Sequence, residues 1–200
     1  LFNFSLVAEN QFLNNEYKKA KETLKIFQKE DDFYYWYRVK KEAQIIAEEQ
    51  NKNESLNYLI SKYEKIEKKN SKVIFDLANF YKNSKNFEKA IEYYTKIISK
   101  LDDDSLIKSD LLFRRGGSYE RLGKFEESDK DFFHSLDINP NNAHVLNYLA
   151  YSWLEREYKI DEAMKLLQTA YELRSDDPYI IDSIGWAFYL INDYSEAEKY

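Results

Sequence analysis

Between Ser109 and Tyr200 one pattern of large and small side chains is written nearly three times in succession. In the clearest copy Leu146, Leu149, Ala150 and Trp153 stand at i, i+3, i+4 and i+7, and after a polar turn Ala163, Leu166, Leu167 and Ala170 take the same spacing. Two amphipathic helices facing each other across a short turn follow from that spacing. The next copy restarts at Pro178 with Ile181, Ile184, Gly185 and Phe188, turns at Asn192-Asp193-Tyr194 and continues to Ala197. The preceding copy offers Leu112, Gly116 and Tyr119, a turn at Gly123, then Ser128, Phe132 and Ser135. The copies begin at Ser109, Ala143 and Pro178, 34 and 35 residues apart.

A helix-turn-helix period of about 34 residues resembles the tetratricopeptide repeat. That family sets small residues where its two helices cross, and these places hold Gly116, Ser128 and Ser135, then Ala150, Ala163 and Ala170, then Gly185 and Ala197. A larger side chain there forces the backbones apart, which costs about 1–3 kcal/mol. The departures are Arg115 at a large apolar position, Ser175 where proline is common, and one extra residue in the turn around Glu157 to Ile160. The segments Asn147 to Trp153 and Asp182 to Ala187 also resemble exported bacterial members of the family that act as envelope adaptors.

The resemblance implies an all-α, right-handed solenoid of about six units: roughly 1–36, 37–70, 71–108, 109–142, 143–177 and a partial 178–200. The expected array is one solenoid domain, a fragment of a longer one, with turns near Asn14, Asn51, Asn83, Gly123, Lys159 and Asn192. In the first unit Phe4, Val7 and Ala8 form one stripe and Tyr17, Ala20, Leu24 and Phe27 the next. The second unit is the most divergent, with Lys40 and Gln44 on positions that should be apolar and small. Ahead of it stand five aromatics, Phe33 to Tyr37, which a helical period spreads around a whole helix. They either plug the junction between units or form a ligand platform.

Chemistry is sparse. The two histidines, His134 and His144, form no metal-binding pair, and the absence of cysteine removes thiolate chemistry. No serine, histidine and acid trio carries a recognisable motif, so neither catalysis nor a metal or cofactor is expected. The Asp102-Asp103-Asp104 run lacks the glycine and distal glutamate of a calcium loop, and its last carboxylate is predicted to cap the following helix. Ser195 and Glu198 have the spacing of a capping box. A net charge of −6 disfavours nucleic acid, and no apolar run reaches membrane-spanning length.

In the tetratricopeptide family the first helix of each unit lines a concave groove. By resemblance the groove-facing residues include Phe113 and Arg121, then Asn147, Tyr151, Leu154 and Glu155, then Tyr179, Asp182, Trp186 and Tyr189. Rings with a few orienting polar groups suit a peptide. The carboxylate clamp of chaperone-binding members is not matched: its five positions hold Phe75, Asn79, Arg114, His144 and Tyr148, and Asn79 alone agrees. The expected function is therefore a non-catalytic scaffold for a protein or peptide partner, without nucleic acid and without membrane insertion by this segment. Resemblance leans its location toward the periplasm or envelope. The competing expectation is a self-assembly element that uses the aromatic junction near Trp36 or the array ends.

Overall fold

A computed structural model describes residues 1–28 and 32–200, with the backbone alone at Asp32. Residues 29–31, where the first expected unit closes, lie outside the described residues. Among the described residues every regular element is an α-helix. In order these are α1 (Phe2–Leu13), α2 (Tyr17–Leu24), α3 (Asp32–Glu49), α4 (Lys52–Tyr63), α5 (Ser71–Asn83) and α6 (Phe87–Ile98). There follow α7 (Leu106–Arg121), α8 (Phe125–Ile138), α9 (Ala143–Leu154), α10 (Ile160–Leu173), α11 (Pro178–Leu190) and the short α12 (Tyr194–Ala197). The helices end or begin at each of the six predicted turns.

One local device ends most first helices of the pairs. Asn15, Lys85, Gly123, Glu157 and Asn192 all take a left-handed backbone, with φ between 50° and 70°. The next residue then donates its N–H to the carbonyl five residues back: Glu16 to Gln11, Asn86 to Tyr81, Lys124 to Tyr119, Tyr158 to Trp153, and Asp193 to Phe188. This is the Schellman closure, which satisfies carbonyls the helix leaves open. Gly123 is the one such residue with no Cβ to strain the conformation. The extra residue of the fifth turn is accommodated by a second left-handed residue, Lys159.

The chain divides into two compact units, Leu1–Asn86 and Phe87–Tyr200. In the first, Ala8 and Ala20 are fully buried where α1 meets α2, and Leu24, Phe27 and Ile45 complete the core. Of the expected α1 stripe Ala8 alone is buried, and Phe4 and Val7 are half exposed. The reading of the second pair also shifts by one residue. Val39 and Ala43 are buried while Lys40 and Gln44 face solvent, and Ser55 donates its hydroxyl to the Ala43 carbonyl at 2.7 Å. The pair therefore has its small crossing residues, Ala43 and Ser55, and α3 starts five residues earlier than Tyr37.

That early start decides the fate of the aromatic run. Tyr34 stacks on Phe27 and Tyr37 meets it edge-on, while Trp36 turns to Tyr63 at 4.7 Å, and Tyr63 in turn meets Phe80. Four of the five rings are partly buried, and Phe33 is left 75% exposed. Buried Lys41 is matched by Glu9 at 2.7 Å and lies over the Phe12 ring.

In the second unit α6 packs on α7, and α7 to α12 form three successive helix pairs. Phe132, Leu149, Ala150, Leu167 and Ile180 are the centre of one continuous core. Arg115, the departure from an apolar position, is answered by Asp131: Nε and Nη2 each donate to a different carboxylate oxygen at 2.7 Å, and Nη1 donates to Thr95. A bidentate pair thus replaces an apolar contact between α7 and α8. Ser109 and Ser135 lock the other end of the same pair, each hydroxyl donating to the partner's carbonyl at 2.9 and 2.8 Å. Small size there serves close approach and hydrogen bonding together.

Two cap assignments are corrected. Ser105, not Asp104, holds the N-cap of α7, and it makes no side-chain cap bond; Asp103 instead accepts from Lys108 at 2.5 Å. At α12 the cap is Asp193, which accepts from the Glu196 N–H, so Ser195 and Glu198 form no capping box. The aspartate wins because the Schellman turn at Asn192 delivers it directly to the helix start.

Candidate functional site: the aromatic face of the first helices

The helix pairs of the second unit set α9 and α11 side by side, and between them lies a cavity of about 500 Å³. It is lined by Tyr151 and Glu155 from the end of α9, by Asp182, Gly185, Trp186 and Tyr189 from α11, and by Ala197 and Tyr200. On α11 the residues Asp182, Gly185, Trp186 and Tyr189 recur at three- and four-residue spacing, so one stripe of the helix faces the cavity while Ile180, Ile184 and Ala187 face the core.

The rings are ordered against one another. Trp186 and Tyr189 lie nearly parallel, 13° apart with centroids at 5.4 Å, and Tyr194 meets Tyr189 at 5.5 Å. Tyr194 is held in turn by donating its hydroxyl to the Asn192 side chain, as Tyr17 does to Asn15 at the matching place of the first pair. Tyr151 keeps 37% of its surface exposed, Trp186 38% and Tyr189 53%, although each sits on a helix whose other face is fully buried. Burial first, then the hydrogen bond that its phenol donates to Glu155 and the charges of Glu155 and Asp182, hold the Tyr151 hydroxyl above its ordinary pKa.

Of these ten residues expected to line a groove, Tyr151, Glu155, Asp182, Trp186 and Tyr189 come together here. The others do not join them. Leu154 is a correction: at 1% exposure it is a core residue, because the last turn of α9 points it into the cluster around Trp153 and Leu167. Phe113 is half-buried and packs its ring on Phe132 and edge-on to Tyr148. Arg121 is exposed and pairs with Glu120 at 3.4 Å. Tyr179 is 75% exposed at the start of α11. Asn147 is half-buried, and its side-chain carbonyl oxygen is buried without a hydrogen-bond partner among the described residues.

Of the six small residues, Gly116, Ala150, Ala163 and Ala170 are buried at helix crossings. Gly185 and Ala197, expected to be buried like them, are only partly covered and line the cavity. Three lining residues lie outside the expected groove: Gly185 and Ala197, expected between helices, and Tyr200. Glu155 was legible as the groove-facing position that follows Leu154 in the repeat. Tyr194 was legible too, since Tyr17, Phe87 and Phe125 put an aromatic at the same place after their turns.

A second cavity, of about 540 Å³, lies within the first unit among Phe33, Trp36, Tyr37, Lys40 and Tyr63 on one side and Asn70, Lys72, Val73 and Asp76 on the other. The aromatic run therefore plugs the junction with most of its rings and leaves a lined hollow beside it. Burial, then Asp76, holds the Tyr63 hydroxyl well above its ordinary range.

Paired helices joined by Schellman turns, with alanine, serine or glycine at each crossing, define a helical-hairpin repeat protein. The tetratricopeptide-repeat model matches residues 71–99 and 109–142, so these two stretches carry tetratricopeptide repeats. It is 34% identical over 91 residues to a TPR repeat-containing protein of Pseudomonas aeruginosa, covering 46% of this chain and 15% of that protein. It is 31% identical over 104 residues to the lipoprotein NlpI homolog of Haemophilus influenzae, covering 52% of this chain and 32% of that protein. The chain thus spans a third or less of the length of these relatives. Among solved structures it is similar to a tetratricopeptide repeat protein from Parabacteroides merdae, with a TM-score of 0.72 at 16% identity over 98% of this chain and 75% of that one. BtubC from P. vanneervenii gives 0.66 at 16% identity over 96% and 87%. These likenesses show the fold. Repeats of this family are in general protein-interaction modules, and among the described residues no helix is long and apolar enough to cross a membrane.

Proposed function

We propose that this chain is a non-catalytic scaffold that holds a peptide or protein segment against the α9 and α11 face of its second unit. The observation that carries the reading is the partly exposed ring set Tyr151, Trp186 and Tyr189, ordered around one cavity on helices whose opposite faces are fully packed. Rings fixed in this way offer large contact area at little entropic cost, and such aromatics often carry about 2 kcal/mol or more of binding each. Phe113, Arg121, Asn147 and Tyr179 extend the proposed surface along the same first helices. The likeness to a lipoprotein homolog supports placing the scaffold as an adaptor at the bacterial envelope.

The test is capture of partners from native extract by the full-length protein, wild type and Trp186→Ala with Asn147→Ala, alongside circular-dichroism melts. The double variant is expected to keep its helical content and lose its partners. Retention of the same partners would remove this face from consideration. A second reading rests on the cavity beside Trp36 and on exposed Phe33, which suit self-association. Sedimentation over a concentration series separates it, since Phe33→Ser would then dissociate an oligomer and leave partner capture intact.

A further inference from the structure

We infer that the cavity between α9 and α11 takes the cationic side chain, lysine or arginine, of an extended segment of the partner protein. This rests on the groove reading above and names what the groove selects.

Three observations point the same way. The first is the sign of the charge in the lining. Glu155 and Asp182 are both carboxylates, and the cavity has no basic residue in its wall. Neither makes an ion pair among the described residues, whereas Arg115 pairs with Asp131 and Arg156 with Asp129. Helix α11 carries Asp182 as its one charged residue and no lysine or arginine. Arg121, whose charge acts on Tyr151, is itself paired with Glu120.

The second is the state of the rings. Elsewhere this chain covers its aromatic faces with its own cations: Lys159 lies over Trp153 and Tyr158, Arg156 over Phe125, and Lys96 over Tyr93, all within about 5 Å. Among the described residues no lysine or arginine covers Tyr151, Trp186 or Tyr189. Ring faces are electron-rich, and a cation placed over them beside a carboxylate gains from both. The cavity thus holds the partners for a cation without the cation.

The third is size and field. A volume of about 500 Å³ admits one long side chain with its flanking backbone and falls in the range of ordinary ligand pockets. The net charge of −6 steers a basic segment toward the surface.

The probes are acetylated and amidated heptapeptides of alternating glycine and serine with one central residue: lysine, arginine, glutamate, or norleucine, which keeps the alkyl stem of lysine and lacks its charge. The readout is the Trp186 indole N–H resonance of the full-length protein, identified by its loss in Trp186→Phe. Lysine and arginine peptides are expected to move that resonance, with norleucine about tenfold weaker and glutamate weaker still. Glu155→Gln with Asp182→Asn should abolish most of the preference for lysine over norleucine while the melting temperature holds. Equal binding of lysine and norleucine, a preference that survives the neutral variant, or no response to any peptide overturns the inference. Equal binding would leave the groove reading standing, whereas undiminished partner capture by the Trp186 and Asn147 variant would sink that reading itself.

Discussion

Gly116 and Gly185 occupy matching places in their repeats, yet their surroundings differ. A Cβ on Gly116 would come within 2.7 Å of the Phe132 ring, which is fully buried and cannot retreat. At Gly185 the nearest contact would be Tyr200 at 3.5 Å, an ordinary separation. Replacing a mid-helix glycine by alanine gains up to about 1 kcal/mol of helix propensity, and overpacking costs about 1–3 kcal/mol. Gly116→Ala is therefore expected to lower stability by about 1–2 kcal/mol, and Gly185→Ala to leave it level or raise it by up to about 1 kcal/mol. Chemical denaturation of the two variants checks this, and a loss at Gly185 equal to that at Gly116 would mean that the repeat position alone decides. At the same scale, Arg115 shows how a charged residue can sit at a large apolar position: Asp131 arrives from the facing helix and pairs with one edge of the guanidinium, and Thr95 accepts from Nη1.

At the scale of elements, the turns carry an identifiable strain. Lys85 and Glu157 hold left-handed backbone with φ of 62° and 50°, a conformation that costs a residue with a Cβ about 1 kcal/mol. Glycine adopts it freely, as Gly123 does in the neighbouring repeat. Glu157→Gly should raise stability by about 0.5–1 kcal/mol after allowance for the greater freedom of glycine in the unfolded chain. The measurement is the denaturation midpoint, read with the helical signal; a fall of similar size would mean that the Glu157 side chain contributes more than its backbone costs. The chain also has a reason to retain these strained turns, because the left-handed residue places the next helix start, as at Asp193, where the cap bond to Glu196 forms.

Across the whole molecule the tyrosines set the alkaline limit. The hydroxyls of Tyr37 and Tyr94 are pushed up to about 12 from 10.0, chiefly by burial, and burial raises Tyr58 and Tyr63 as well. In the unfolded chain each would ionise near its ordinary value of about 10. Below pH 10 both states are protonated and the contribution of these groups is fully present. Between pH 10 and 12 the unfolded chain binds fewer protons than the folded one, so stability falls as pH rises. The melting temperature is expected to be insensitive to these groups up to about pH 9 and to drop across pH 10–12, with a phase of tyrosinate absorbance that appears only as the helical signal is lost. A melting temperature that stayed level through that window, or full tyrosine ionisation in the folded chain, would contradict the burial described here.

The six turns, the all-helical class, and the small residues of the 109–177 stretch follow from sequence alone, because both are local or nearest-neighbour properties: a 3.6-residue stripe selects the helix, and a short period selects the hairpin. The groove stripe of α11 was legible for the same reason, since Asp182, Trp186 and Tyr189 share a face whatever α11 packs against. Tertiary structure decided what depends on a partner distant in sequence. The register of the second pair rests on Ser55 meeting Ala43, which no periodicity within α3 reveals. Leu154 went to the core and not to the groove because α10 and α11 offered it a place. The cavity, its paired carboxylates and its uncovered rings exist only because α9 and α11 stand side by side, and adjacency of that kind is written in no single stretch of the chain.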